Sequence, residues 1–255
     1  MIRRPHRPTE SNYHDSAIIS TFKNRKPMKA DAGRRVLRPI DYTIIVLTLG
    51  SAVAYSVIQH RVDIMGTVAL LFGVTGTVLS ARRSIWNFVF GTVNVALYAV
   101  IAYNASNYGQ AALNALYYLP MQFVGWWAWS RRKDSADRSR VKARSMTGRQ
   151  MLLCLAAAAV AIAAVWYAMR TLTDAAQPFK DSFITVVFVI GQVLMTFAFW
   201  QQWLFWIAGN IANIALWGIV MADGEIVGGL MVIKYSMYLI NSVGGAITWR
   251  RTVAE

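Results

Sequence analysis

Apolar residues run along this chain in eight long blocks, at 42 to 59, 62 to 80, 85 to 103, 109 to 130, 151 to 170, 182 to 199, 203 to 221 and 226 to 248. Each block is long enough to carry an α-helix across a bilayer core of about 30 Å, so the pattern predicts eight transmembrane helices. The turns at 60 to 61 and 200 to 202 are the shortest. Two blocks are interrupted by a polar stripe: Asn87, Gly91, Asn94 and Tyr98 recur at i, i+4, i+7, i+11, and Trp206, Asn210, Asn213 and Trp217 repeat that spacing 119 residues later. Such spacing lays four side chains on one helical face. An amide surrounded by lipid needs a partner, so a duplicated amide stripe predicts two half-sites facing one shared cavity.

The duplication extends beyond the stripe. At a constant offset of 119, residues 84 to 132 align with 203 to 251 without a gap, and eight of 49 positions are identical, among them Asn94 with Asn213, Gly125 with Gly244, and Arg131 and Arg132 with Arg250 and Arg251. Shared membrane composition inflates such a count, so the common register of stripe, glycine and arginine pair is the stronger signal. The predicted organisation is a disordered basic tail at 1–41, an extra transmembrane helix at 42–59, a first three-helix repeat at 62–132, a linker helix at 151–170 and a second three-helix repeat at 182–251. An odd number of helices between corresponding spans predicts parallel repeats, related by an axis along the membrane normal. The expected fold class is an all-α integral membrane protein with one extra span and a 3+1+3 core.

Composition agrees with lipid. Hydrophobic residues make up 56% of 255, with ten tryptophans, too apolar for an ordinary soluble domain. The net charge of +14 resembles a nucleic-acid signature until its distribution is considered. Assigning alternate connections to opposite sides puts 22 of 26 Lys and Arg on one side, in 1–41, at Arg82 and Arg83, in 131–150, and at Arg250 and Arg251. By the positive-inside rule both termini are cytoplasmic, and the basic loops are expected to meet anionic lipid, with no nucleic-acid partner. Cys154 is the single cysteine, which excludes an intramolecular disulfide and any multi-thiolate metal site.

Further polar residues lie inside the predicted spans. Asn114, Tyr118 and Gln122 share one face of the fourth, where Pro120 predicts a kink; Gln192 stands alone in the sixth; Lys234, Met237 and Asn241 line up in the eighth. Such amides either clamp helices together, at roughly 0.6 to 2 kcal/mol per bond, or bind a solute. Four spans contributing amides at similar depth beside aromatics favour the solute. Trp126, Trp127 and Trp129 next to Arg131 fit an interfacial belt, whereas Trp206 divides between belt and site because it shares a face with Asn210 and Asn213. A flat ring beside paired amides suits a planar heteroaromatic, and a cationic one better still. Lys234 costs about 2.5 to 3.5 kcal/mol at a helix centre and either snorkels toward an interface or meets the solute. Every Asp and Glu falls at a span edge or in a loop, and the three His lie outside span interiors. That predicts uncoupled transport, no catalytic residues, no metal and no cofactor.

The run WNFVFGTVNVALYAVIAYNASNYGQAALNALYYLPMQFVGWWAW, followed by WLFWIAGNIANIALWGIV, resembles the PnuC family of bacterial vitamin transporters, whose usual substrate is nicotinamide riboside. The resemblance spans 62 to 251 and is most specific at Trp203 and Trp206 in W-x-x-W, the asparagines that follow, and the GWW-x-W ending of the fourth span. It implies a fold like that of SWEET sugar carriers, uniport in the bacterial inner membrane with trapping by cytoplasmic phosphorylation, and a homo-oligomer, a trimer. Trp203 and Trp206 are expected at a gate. The expected site places Trp206, Asn210, Asn213 and Trp217 opposite Asn87, Asn94 and Tyr98, with Gln122, Gln192 and Asn241 closing the sides and Lys234 meeting the ribose end or acting against phosphorylated analogues. On this reading Asn213→Ala weakens binding more than tenfold, roughly 1.4 kcal/mol. Thiamine and riboflavin are the alternative planar cargoes, and a membrane receptor or scaffold is the alternative class.

Overall fold

Pro39 opens the first helix, α1 (Pro39–Ile58), where its missing N–H is one of the donors a helix leaves unpaired. Two residues on, Asp41 accepts the Arg38 N–H at 2.6 Å and the Arg82 Nε at 2.8 Å, which ties α1 to the end of α2 (Ile64–Ala81) through a buried ion pair. The computed structural model describes residues 37–58, 60, 63–174 and 177–254, so residues 1–36 of the expected tail and part of the turn after α1 lie outside the described residues. The helices continue with α3 (Asn87–Asn104), α4 (Tyr108–Ala112), a π-helical turn (Leu113–Tyr118), α5 (Leu119–Ser130), α6 (Gly148–Leu172), α7 (Pro178–Thr196), α8 (Gln202–Ala222) and α9 (Ile226–Ala254). Among the described residues there is no strand, only three isolated bridges.

Seven of these helices are long and apolar enough to cross a membrane: α1, α2, α3, α6, α7, α8 and α9. The expected fourth span is continuous helix from 108 to 130 but is broken into α, π and α pieces. Pro120 explains the break. Its ring would collide with the Leu116 carbonyl and it donates no hydrogen bond, and the wider π turn just before it relieves both faults. The expected kink at Pro120 therefore takes the form of a π turn.

Two helix ends differ most from expectation. α7 begins at Pro178 and includes Lys180 and Asp181, and α9 continues through Arg250 and Arg251 to Ala254. Hydropathy stops where lipid stops, whereas the backbone hydrogen-bond ladder can run on into water.

Contacts recur along the chain in two registers. Arg83 and Ala198, 115 residues apart, both take left-handed backbone (φ 62° and 59°) in the turns before α3 and α8. The Trp129 Nε1–H donates to the Met195 carbonyl at 2.9 Å, and the Trp249 Nε1–H donates to the Ser80 carbonyl at 3.1 Å. The acceptors are 115 residues apart and the donors 120. Likewise Gly125 faces the Phe88 ring and Gly245 faces the Trp203 ring, each pair closer than a Cβ would allow. The offset grows because α8 has 21 residues where α3 has 18, with further residues added along α9. A single offset of 119 slips the second helices by four residues, about one helical turn, and a slip of one turn returns nearly the same face. The stripes therefore align in face but not in depth, and Asn94 is level with Gly209 rather than with Asn213.

The basic segment 131–147 lies across both turns. Val141 N–H donates to Arg83 O (2.9 Å) and Ile85 N–H to Ser139 O (2.9 Å); Arg144 N–H donates to Ala198 O (2.7 Å) and Trp200 N–H to Arg144 O (2.9 Å). These bonds hold the two strained residues, and Val141 and Ala143 join Phe88, Trp129, Trp203 and Trp249 in the main core cluster. Trp129 is 1% exposed, so it is a core residue and not part of a belt, while Trp127 stays exposed with Arg131 stacked over its ring at 4.2 Å.

Candidate functional site

A chamber of about 330 Å³ lies among α2, α3, the broken α4–α5 helix, α7, α8 and α9. Its wall takes in Trp203, Trp206, Asn210, Asn87, Asn94, Tyr98, Gln122, Gln192 and Lys234 from the expected site. Asn213, Trp217 and Asn241 are not on that wall. The stripe on α8 runs past the chamber: Asn213 turns its amide onto Gly209 O of its own helix at 2.9 Å, and Trp217 is half-buried one turn further. Asn241 reaches across to Thr77 O at 3.1 Å, which clamps α9 to α2.

The face that α9 presents to the chamber is turned by about one residue from expectation. Lys234, Tyr238 and Ser242, at successive spacings of four, line the chamber together with Tyr235, whereas Met237 packs on the Ile44, Val74 and Val78 cluster. Tyr235, Tyr238, Ser242 and Phe188 are among the lining residues that sequence reasoning missed, as are Thr77, Ser80 and Gln110 on the facing helices. A lysine inside a span with a tyrosine four residues on was the available signal, since positions i and i+4 are neighbours on one helical face.

The amides clamp helices without exhausting their hydrogen bonds. Asn94 Nδ2 donates to Ala69 O at 2.7 Å, Asn87 Nδ2 to Ser84 O at 2.7 Å, and Asn210 Nδ2 to the Ser242 hydroxyl at 3.2 Å. A primary amide carries two donor hydrogens and an acceptor, so one such bond leaves capacity for a ligand. Gln192 is 5% exposed and its Nε2 has no partner; the buried Trp203 Nε1 also lacks one. A buried donor left unpaired costs about 1 to 3 kcal/mol, which marks both as places where an acceptor is missing. Gln192→Leu is accordingly expected to raise the thermal unfolding midpoint while weakening ligand binding about tenfold, measured by a melt and a titration on the same preparation.

Trp206 supplies the flat surface. Its ring lies against Gly191, where an added Cβ would come within 3.2 Å, and beside Phe188 with centroids 5.4 Å apart. Gly91 leaves room for Gln122, whose Oε1 would collide with any Cβ there. Among the described residues, Lys234 is the single charged side chain on the chamber wall. Its ammonium lies 5.3 and 6.0 Å from the Tyr235 and Tyr238 ring centroids. These rings offset part of the cost of burying the charge.

A chamber that carries amides, an aromatic ring and one lysine among apolar spanning helices defines a multi-pass membrane protein with room for a small solute. Known proteins share its pattern. The family described as nicotinamide mononucleotide transporter matches residues 63–251. A nicotinamide riboside transporter PnuC of Neisseria mucosa is 35% identical over 192 residues, 74% of this chain and 73% of the relative. One from Haemophilus influenzae is 27% identical, covering 73% and 80%. A crystal structure of the vitamin B3 transporter PnuC is similar with a TM-score of 0.68 and 32% identity, over 86% of this chain and 93% of that one. The chain belongs to the PnuC family of membrane transporters and is not an enzyme. Helix α1 precedes the matched residues.

Proposed function

We propose that the protein carries nicotinamide riboside across the bacterial inner membrane by facilitated diffusion, with cytoplasmic phosphorylation trapping the product. The observation that carries this reading is that the Trp206 ring lines the same chamber as Gln192 and Asn210: one flat ring with amide donors and acceptors on the surrounding wall suits a single cationic heteroaromatic ring bearing a carboxamide. The absence of carboxylate and histidine from the chamber wall supports uniport, since ion-coupled carriers commonly place such a group on the path. On this reading the riboside touches Trp206, Asn210, Gln192, Gln122, Asn87, Asn94 and Tyr98, and Trp203 gates with Trp206 at the end closed by Trp129 and Trp249.

The broken helix 108–130 serves as the eighth span, and the paired contacts at offsets 115 and 120 support two parallel three-helix repeats joined by α6, with α1 as the extra helix. The distribution of basic residues supports a topology with both termini in the cytoplasm. A trimer is proposed on the family resemblance.

Titration of the purified protein with nicotinamide riboside, thiamine and riboflavin tests the cargo. The riboside should bind at least tenfold more tightly than either of the others; equal or tighter binding of another vitamin would replace it. Chamber geometry also revises the asparagine test. Asn210→Ala should weaken riboside binding more than tenfold, roughly 1.4 kcal/mol, and Asn213→Ala less than threefold.

A further inference from the structure

The segment 131–147, which lies across the turns before α3 and α8, doubles back on itself as a short antiparallel pair. Lys133 is bridged to Val141, and the Lys142 N–H donates to Arg132 O at 2.9 Å. Extended residues alternate between two faces, and residues opposite each other share one. Val141 and Ala143 therefore point into the core, 0% and 6% exposed, while Lys142 and Arg144 take the outer face with Arg132 beside Lys142. The Arg144 guanidinium lies over the Phe199 ring at 4.4 Å, and Arg250, near the end of α9, lies over the adjoining Trp200 ring at 5.6 Å. The Trp200 Nε1–H donates to the hydroxyl of Ser145 at 3.1 Å, which keeps that ring next to Arg144. Four cations from three parts of the chain thus meet on one face.

Their charge is not matched within the protein. Both acids of the segment are engaged elsewhere, Asp134 with Arg83 at 2.9 Å and Asp137 with Arg140 at 3.0 Å. Among the described residues, Arg132, Lys142, Arg144 and Arg250 form no ion pair. Burial and the neighbouring Arg144 charge both push the Arg132 guanidinium below its usual pKa. An anion set between such like charges relieves their repulsion and accepts charge-assisted hydrogen bonds from both. Depth identifies the anion. Trp86, Trp126 and Trp127 are exposed at this same end, Trp86 edge-on to Trp126 at 6.0 Å and Trp127 under Arg131 at 4.2 Å. Exposed tryptophans at the ends of spanning helices mark the headgroup level, where an anionic leaflet presents phosphodiesters. We infer that Arg132, Lys142, Arg144 and Arg250 form a binding site for the headgroup of an anionic phospholipid, whose occupancy braces segment 131–147 over the two turns. None of the four lines the chamber, so the site is independent of the solute held there.

Native mass spectrometry and thermal unfolding of the full chain in detergent test it, with short-chain phosphatidylglycerol, phosphatidylcholine and inorganic phosphate as probes. Wild type should bind phosphatidylglycerol at least tenfold more tightly than phosphatidylcholine, and only phosphatidylglycerol should raise the unfolding midpoint. Arg132→Gln with Lys142→Gln should weaken phosphatidylglycerol binding at least fivefold and abolish the rise in midpoint. Lys133→Gln with Arg138→Gln removes the same charge from the same segment and should stay within twofold of wild type. A cooperative melt without lipid shows that each variant is folded; if the first is not, Lys142→Gln alone carries the same expectation at threefold. Equal binding of the two lipids by wild type overturns the site with no variant needed. An unchanged affinity in the first variant, or an equal loss in both, also overturns it, the latter leaving only diffuse attraction. Displacement of bound phosphatidylglycerol by inorganic phosphate at equal concentration would make the ligand a soluble anion and overturn the lipid assignment.

Discussion

Trp206→Ala is expected to weaken nicotinamide riboside binding at least thirtyfold, about 2 kcal/mol. The ring lies against Gly191 and lines the chamber together with Gln192 and Asn210. Cation–π attraction reaches about 2 kcal/mol when the partners leave water. Alanine removes the shelf and leaves Gln192 and Asn210 to hold the carboxamide without a platform. Trp206→Phe should recover part of the loss, because a smaller ring still presents a π face. A titration showing less than a threefold change in Trp206→Ala, with the variant folded, would move the ring elsewhere in the chamber.

The second large effect is on stability. Asp41→Ala is expected to cost about 3 to 5 kcal/mol, because it strands the Arg82 guanidinium in a site that is 9% exposed. Asp41 itself is 1% exposed and holds Arg82 through two bonds, Nε to Oδ2 at 2.8 Å and Nη2 to Oδ1 at 2.5 Å. Replacing both partners with apolar residues, Asp41→Leu with Arg82→Met, should restore much of the loss, since the penalty belongs to the unpaired charge and not to the missing pair. Thermal unfolding in detergent reads both variants. An unchanged midpoint for Asp41→Ala would mean that α1 is not fastened to the rest of the protein here.

Spans and polar faces were legible in the sequence because lipid imposes one rule on every residue. An apolar run must be helical, and an amide within it must face a partner. That rule brought Asn87, Asn94, Tyr98, Gln122, Gln192, Trp206 and Lys234 to one candidate site, and the structure gathers those seven on one wall. Depth was not legible. A four-residue slip leaves a helical face almost unchanged, so Asn213 and Trp217 looked equivalent to residues that line the chamber, although they lie beyond it. The face of α9 was misread for a related reason: Asn241 is as polar as Ser242, and only packing reveals that the first serves Thr77 and the second the chamber. Trp129 shows a further limit, since a tryptophan beside arginines fits a membrane interface by composition while its N–H is committed to Met195 inside the core.

Pro120 marks the boundary between the two kinds of knowledge. Its presence predicts a disturbed helix, and the sequence alone cannot distinguish a bend from a π turn. The π turn sets where Asn114 and Tyr118 stand on the chamber wall, so a local backbone choice shapes the site.

Uptake of labelled nicotinamide riboside by proteoliposomes, without ion gradients and without a kinase inside, tests the transport reading most directly. Facilitated diffusion predicts saturable entry that stops when the internal concentration equals the external one and is lost in Trp206→Ala. No entry above protein-free vesicles, or accumulation that depends on an imposed proton or sodium gradient, would contradict it.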